Sequence, residues 1–250
     1  MAILTDSQLL RYARNILLSD IDVAGQERLL RSHVVVIGAG GLGSPVLQYC
    51  AAAGIGQLTI IDDDRVDETN LQRQVLFNEQ QIDQPKAEAA AEQLQKLNSD
   101  VSVCVRFERL TSANVDHLLH GADLVIAGTD NIGSRMLANR FCRTEQIPLV
   151  SGAAIGTSGQ VTSFDFRYAD RACLGCVYPG EGENLSCAES GVLGPVVGVI
   201  GSLMATEAIK LLLNIGKPLT ERLLLWDAMT MEWQTFNYAK SPTCKICGDN

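Results

Sequence analysis

Short apolar segments alternate with amphipathic segments along the first 150 residues of the chain. Residues 33–37 (HVVVI) are mostly β-branched and show no polar alternation, which is typical of a central parallel strand covered on both faces. Further strands are predicted over 58–61, 101–107, 124–127 and 149–150, with helices over 44–53, 85–97 and 133–144. Strands that alternate with helices indicate an α/β fold with a Rossmann-like, doubly wound, mostly parallel sheet.

The pattern changes near residue 152. Antiparallel strands are predicted over 159–166, 222–227 and 232–238, with a helix over about 195–213. No linker rich in Pro or Ser intervenes, so we expect these strands to extend the same sheet within one domain, 1–250. Its parts are N-terminal helices (1–32), a first half (33–151) and a second half (152–250). The N-terminal part predicts a helix capped by Asp6 or Ser7 and a short helix near 26–30.

Charge and composition restrict the class of protein. The 250 residues include 20 Lys+Arg and 29 Asp+Glu, and a net charge of −9 argues against nucleic acid as a partner. The N-terminus lacks the features of a signal peptide, and the longest uncharged run, 190–206, is shorter than the ~20 residues of a membrane span. We therefore expect a cytoplasmic protein without membrane contact, whose 8 cysteines remain reduced.

A glycine-rich turn lies between the first predicted strand and its helix. Gly38, Gly40 and Gly43 follow the GxGxxG spacing, which lets backbone N–H groups approach a phosphate at a helix N-terminus. Asp62 ends the next predicted strand, where a carboxylate can accept hydrogen bonds from ribose hydroxyls. A turn used only for packing is the alternative, and we favour a nucleotide site.

Cations and a further acid favour a triphosphate over a dinucleotide. Arg73 and Lys86 can neutralise phosphate oxygens, and Asp130, after a later strand, can help to hold Mg²⁺. Taken singly, each residue is as easily a solvated surface group. An NAD-dependent oxidoreductase would leave these cations without a role. The candidate ATP-binding residues are Gly38, Gly40, Gly41, Gly43, Asp62, Asp64, Asn70, Arg73, Gln74, Lys86, Asp130 and Asn131.

Two CxxC pairs predict a structural zinc site. Cys173 and Cys176 form the first pair and Cys244 and Cys247 the second, and four thiolates complete a tetrahedral site with no position for a catalytic water. A redox pair fits less well, because each pair lies in loop-like sequence rather than opening a helix after a strand. Cys187 lies in a polar stretch, 181–189, where an exposed thiol could attack an activated acyl group; an incidental surface cysteine is the alternative.

The motifs together resemble one known family. The chain is similar, over about residues 7–249, to the sulfur-carrier adenylyltransferases of the MoeB/ThiF/HesA type, bacterial relatives of the ubiquitin-activating enzymes. Asn15 departs from the family pattern, which more often has Gln there. The motifs that carry the resemblance are 11–14 (RYAR), 38–43 (GAGGLG), Asp62, 70–74 (NLQRQ), 85–86 (PK), 129–131 (TDN), 151–153 (SGA) and the two CxxC pairs.

The resemblance implies a reaction and its partners. ATP and Mg²⁺ would bind beside the glycine-rich turn, and the C-terminal Gly-Gly carboxylate of a small ubiquitin-like sulfur carrier would attack the α-phosphate. The molybdopterin pathway is the expected setting, the thiamine pathway the alternative, and a non-catalytic zinc-stabilised adaptor a rival. Catalytic roles would fall to Arg14, Arg73, Lys86 and Asp130, with Cys187 as a candidate for an acyl or persulfide intermediate.

The resemblance also implies an assembly. The family is homodimeric, and Arg14 would reach the triphosphate bound by the opposite subunit. We expect no rhodanese domain after the second CxxC pair, and therefore a separate sulfur donor, of the cysteine desulfurase or rhodanese type. Ile55 and Gly56, together with the apolar surface after Pro195, are predicted to help dock the carrier.

Overall fold

The computed structural model describes residues 4–179 and 191–248. Its strands are β1 (His33–Ile37), β2 (Gln57–Ile61), β3 (Ser102–Arg106), β4 (Leu124–Ala127), β5 (Leu149–Ile155), β6 (Ser158–Phe164), β7 (Arg222–Asp227) and β8 (Glu232–Asn237). Its helices are α1 (Asp6–Arg11), α2 (Ala13–Ile16), α3 (Asp22–Arg31), α4 (Gly43–Ala52), α5 (Lys86–Leu97), α6 (Val115–Leu119), α7 (Ile132–Thr144), α8 (Leu174–Val177) and α9 (Gly194–Leu213).

The described strands form one eight-stranded sheet in the order β3-β2-β1-β4-β5-β6-β7-β8. Strands β1 to β5 pair in parallel, and β5 to β8 pair antiparallel. The predicted fold class is confirmed, because the second half of the chain extends the first half's sheet. From β1, the chain continues on one side to β2 and later on the other side to β4, and such a reversal places a ligand crevice at the carboxyl ends of the strands.

Both faces of the sheet are covered, which explains the unbroken apolar run of β1. Val34 and Val36 belong to the core on one face and Val35 and Ile37 to the core on the other. The division proposed at residues 151 and 152 falls within β5, inside the continuous sheet.

Helix α9 is the central helix of the larger core and packs on α4, β5 and β6. By length and composition it could cross a membrane, but 61% of its apolar window is buried inside the protein. Its hydrophobicity is therefore explained by packing against the sheet.

Several element ends differ from the predictions. Thr5, rather than Asp6 or Ser7, caps α1, because its side chain accepts from the Gln8 N–H and the Gln8 side chain accepts from the Thr5 N–H. The sequence predicts one helix in this region, but the structure has two, α1 and α2, which are separated by the buried Tyr12. The second, predicted over 26–30, starts earlier, at Asp22.

Candidate active site

The glycine-rich turn joins β1 to α4 and is shaped by close backbone contacts. Gly38 has φ +92°, a conformation that favours glycine. A Cβ on Gly43 would lie 2.0 Å from the Gly38 carbonyl oxygen, and one on Gly41 would lie 3.1 Å from Val197 of α9. Gly43 is therefore explained by the packing of the turn alone. Gly38, Gly40 and Gly41 also line the cleft that is described below, whereas Gly43 does not.

Asp62 is tied to the glycine-rich turn. Its Oδ2 accepts the Ala39 N–H at 2.7 Å, and its Oδ1 accepts the Asp64 N–H at 2.9 Å. Burial raises the pKa of the Asp62 carboxyl, while these two backbone N–H groups lower it in part. The carboxylate therefore has a fixed position at the carboxyl end of β2 beside the turn.

Lys86 is a buried cation at the start of α5. The residue is 4% exposed, and its Nζ donates to Asp64 Oδ2 at 2.9 Å. The Lys86 backbone N–H also donates to the Asp64 carbonyl oxygen at 2.9 Å. These two bonds hold the first turn of α5 against the segment that follows β2, and they hold the Lys86 ammonium at the cleft wall.

Asn70 orients the second cation. Its Oδ1 accepts from Arg73 Nη2 at 3.2 Å and from Gln74 Nε2 at 2.9 Å. A second guanidinium nitrogen of Arg73 donates to the Thr69 carbonyl oxygen at 3.2 Å. The NLQRQ segment thus arranges its own polar side chains, which lie on the cleft wall at Asn70, Arg73 and Gln74.

These residues line one cleft of about 800 Å³ at the carboxyl ends of the parallel strands. A ligand of nucleotide size fits a cleft of this volume. Asn131 also caps α7, since its Oδ1 accepts the Ser134 N–H at 3.0 Å. The predicted nucleotide residues that line it are Gly38, Gly40, Gly41, Asp62, Asp64, Asn70, Arg73, Gln74, Lys86, Asp130 and Asn131.

Sequence reasoning missed a set of polar residues on the same cleft. Arg135, 8% exposed, lies in the first turns of α7, directly after Asp130 and Asn131. Its position near the start of a helix that follows a parallel strand could have predicted that it lies at the cleft. Other missed polar residues of the cleft come from α7, β6, β7 and β8, and no local motif marks them; they include Ser134, Gln160, Trp226, Asp227 and Gln234. Glu108 and Arg109, which follow β3, also line the cleft and were missed.

Besides Gly43 and the CxxC cysteines, three predicted functional residues in the described part of the chain do not line this cleft, namely Arg14, Ile55 and Gly56. Arg14 is exposed on α2, and Cys187 lies outside the described residues. Ile55 is fully buried, and a Cβ on Gly56 would lie 1.8 Å from the Leu30 carbonyl oxygen. The prediction that Ile55 docks a partner is therefore wrong, because its side chain is fully buried in the core. Gly56 is half-buried and closely approached by α3, and its predicted role in docking stays a prediction.

The four CxxC sulfurs come together. They lie within 4.8 Å of one another, with Cys173 Sγ 3.7 Å from Cys244 Sγ and Cys176 Sγ 3.3 Å from Cys247 Sγ. These separations exclude disulfides, whose sulfurs are ~2.05 Å apart, and approach the ~3.8 Å separation in a tetrahedral Zn–thiolate site with ~2.3 Å bonds.

Cys173 directly precedes the one-turn helix α8, but this helix does not follow a strand, since β6 ends at Phe164. The assembly of all four sulfurs, rather than the loop character of each pair, is what favours a metal site.

Comparison with known proteins agrees with this geometry. A sequence model of the ThiF family matches residues 12–246. The chain belongs to the ThiF family. Over 246 residues, this ThiF-family chain is 45% identical to the SAMP-activating enzyme E1 of Haloferax volcanii, covering 97% of this chain and 90% of that protein. It is 43% identical over 249 residues to the molybdopterin-synthase adenylyltransferase of Salmonella typhimurium, covering 99% and 100%.

A solved structure shares the fold of this ThiF-family protein. The crystal structure of E. coli MccB with ATP matches with a TM-score of 0.83 at 26% sequence identity, covering 96% of this chain and 75% of that one. The family resemblance inferred from the motifs is confirmed.

Proposed function

We propose that this ThiF-family protein is an adenylyltransferase that activates the C-terminal Gly-Gly carboxylate of a small ubiquitin-like sulfur carrier. The observation that carries the proposal is one cleft that joins the glycine-rich turn, Asp62 and the cations Arg73 and Lys86. A dinucleotide oxidoreductase offers no role for these cations. The names of the two similar enzymes, one an adenylyltransferase and one an activating enzyme, support the same reaction class.

The proposed reaction joins two anions. A carboxylate oxygen of the carrier attacks the α-phosphorus of ATP, the bond from that phosphorus to the bridging oxygen breaks, and pyrophosphate leaves. No general base is needed, because a carboxyl group is already ionised at neutral pH. The barrier is electrostatic: at ~4 Å, one pair of unit charges repels by about 4 kcal/mol at an effective dielectric constant near 20.

The residues of the cleft oppose this repulsion. Arg73 and Lys86 would neutralise phosphate oxygens, and Asp62 would accept from the ribose hydroxyls. Asp130 would hold Mg²⁺, since its carboxylate is the ligand type that this ion prefers, and bound Mg²⁺ would supply further positive charge. The four thiolates of Cys173, Cys176, Cys244 and Cys247 would hold a structural Zn²⁺.

Partners complete the proposal. We place the protein in the cytoplasm as a homodimer in which Arg14 reaches the triphosphate of the opposite subunit. A separate persulfide donor, of the cysteine desulfurase or rhodanese type, would supply sulfur, and Cys187 would be a candidate for a covalent intermediate. The carrier is proposed to be that of molybdopterin biosynthesis, with the thiamine-pathway carrier as the alternative.

The test is exchange of labelled pyrophosphate into ATP with purified carriers of both pathways assayed side by side. The proposal expects exchange that depends on the carrier and disappears when the carrier lacks its terminal Gly-Gly. The more efficient carrier identifies the pathway. Folded protein that shows no exchange with any Gly-Gly carrier would overturn the proposal.

A further inference from the structure

Asn139 is a fully buried amide between the active-site cleft and the sulfur cluster. It lies on α7 and is 0% exposed. Its Oδ1 accepts the backbone N–H of Leu174 at 2.9 Å, and Leu174 directly follows Cys173. Because a backbone N–H can only donate, this bond fixes which end of the amide is oxygen and which is nitrogen.

The nitrogen end of this amide is unsatisfied. Among the described residues, Asn139 Nδ2 is enclosed and has no hydrogen-bond partner. A buried donor without a partner destabilises the folded protein, so an amide retained at such a position needs an explanation. Because Leu174 directly follows Cys173, the amide lies next to Cys173, whose side chain it contacts.

A bound metal would change what this sulfur can accept. A neutral thiol is a weak acceptor, whereas a thiolate accepts charge-assisted hydrogen bonds. Four thiolates around one Zn²⁺ carry a net charge of −2 in a site where three of the four cysteines are buried. Hydrogen bonds from outside the ligand set stabilise such charge and orient the ligands.

We propose that Asn139 is a positioning residue for the zinc site, donating its Nδ2–H to the Cys173 thiolate while its Oδ1 holds the Leu174 N–H. The proposal rests on the zinc site of the proposed function and adds a fifth residue to it. One side chain then fixes both the first ligand and the backbone that follows it. The same helix carries Ser134 and Arg135 on the cleft wall, so Asn139 also connects the metal site to the helix that lines the cleft.

Zinc retention in two variants tests the proposal. Asn139→Asp keeps an acceptor for Leu174 but replaces the N–H donor with a negative oxygen, and Asn139→Leu removes both bonds at similar size. Zinc per chain is measured by mass spectrometry during a chelator titration of the purified holoprotein. We expect Asn139→Asp to release zinc at ~10- to 100-fold lower chelator activity than the wild type. Wild-type retention in Asn139→Asp would overturn the proposal.

A purely structural role gives a different result. It would lower the melting temperature of the zinc-free and zinc-loaded forms equally and leave zinc affinity unchanged, which overturns the proposal. Asn98 provides the matched control: it is 1% exposed, and its amide nitrogen donates to Tyr12 and Ala51 rather than toward sulfur. Asn98→Asp is expected to reduce stability without selective zinc loss.

A measurement on the wild type needs no variant to fold. With ¹¹³Cd in place of zinc, an N–H···S bond transmits a scalar coupling from the metal to the amide proton. We expect such a coupling at a side-chain proton of Asn139, and its absence in cadmium-loaded protein would overturn the proposal. A wild type that binds neither metal would contradict the zinc site itself, which separates the two failures.

Discussion

Replacing Lys86 by methionine removes the most enclosed cation of the proposed nucleotide site. The Lys86 side chain is 6% exposed and its Nζ lies 2.9 Å from Asp64 Oδ2, whereas the Asp64 side chain is 67% exposed. Methionine keeps an unbranched apolar chain along the same wall and deletes only the charge. Asp64 remains hydrated after the change, so we expect the fold to persist.

The expected loss of activity follows from the charge. A unit charge ~4 Å from a phosphate oxygen contributes about 4 kcal/mol at an effective dielectric constant near 20, and Asp64 cancels part of this. A remaining loss of about 2.7 kcal/mol in the transition state corresponds to a ~100-fold slower reaction. We expect at least this effect on pyrophosphate exchange in Lys86→Met, and a similar effect in Arg73→Met.

The assay compares exchange rates at saturating ATP and carrier. Lys96→Met is the matched control, because Lys96 is exposed in the last turn of the same helix, α5. It should exchange at the wild-type rate. If folded Lys86→Met stays within tenfold of wild type, Lys86 does not act on the phosphates and the electrostatic reasoning fails.

Three further predictions concern packing, protonation and the metal. Gly198→Ala should stabilise α9 by up to ~1 kcal/mol, since its Cβ would meet nothing within 4 Å. Gly201→Ala should destabilise the protein, because its Cβ would lie 2.6 Å from the Leu42 carbonyl oxygen. Equal melting temperatures of the two variants would contradict this prediction. Burial raises the pKa of Asp62, so this carboxylate takes up a proton at a higher pH than an exposed aspartate does. ATP affinity should therefore begin to fall at that higher pH during acidification. Calorimetry should find that this pH dependence is absent in Asp62→Asn. Chelation of zinc should lower the melting temperature but leave ATP binding at low temperature nearly unchanged, because the four sulfurs do not line the cleft. A large loss of ATP affinity in the folded, zinc-free protein would show that the metal also shapes the nucleotide site.

Local sequence patterns determined much of the fold and the nucleotide side of the cleft. Residues of β1 are covered on both faces, and a run such as HVVVI is stable only there, so its strand could be predicted without any knowledge of its neighbours. The glycine-rich turn, Asp62 and Lys86 each lie at a strand or helix end that the pattern predicts. Parallel strands bring such ends to one edge of the sheet, which is why these distant residues could be placed together.

Tertiary structure alone decided which parts of the second half meet the first. Gln160 and Trp226 reach the cleft because β6 and β7 continue the sheet beyond β5. The sequence around these two residues contains no motif that predicts this contact. Ile55 looks available in the sequence, yet packing buries it completely. Asn139 meets Leu174 from 35 residues away. The patterns that can be read from a sequence, which are capping, turns and side-chain periodicity, involve near neighbours in the chain, whereas these contacts depend on how whole elements pack across the sheet.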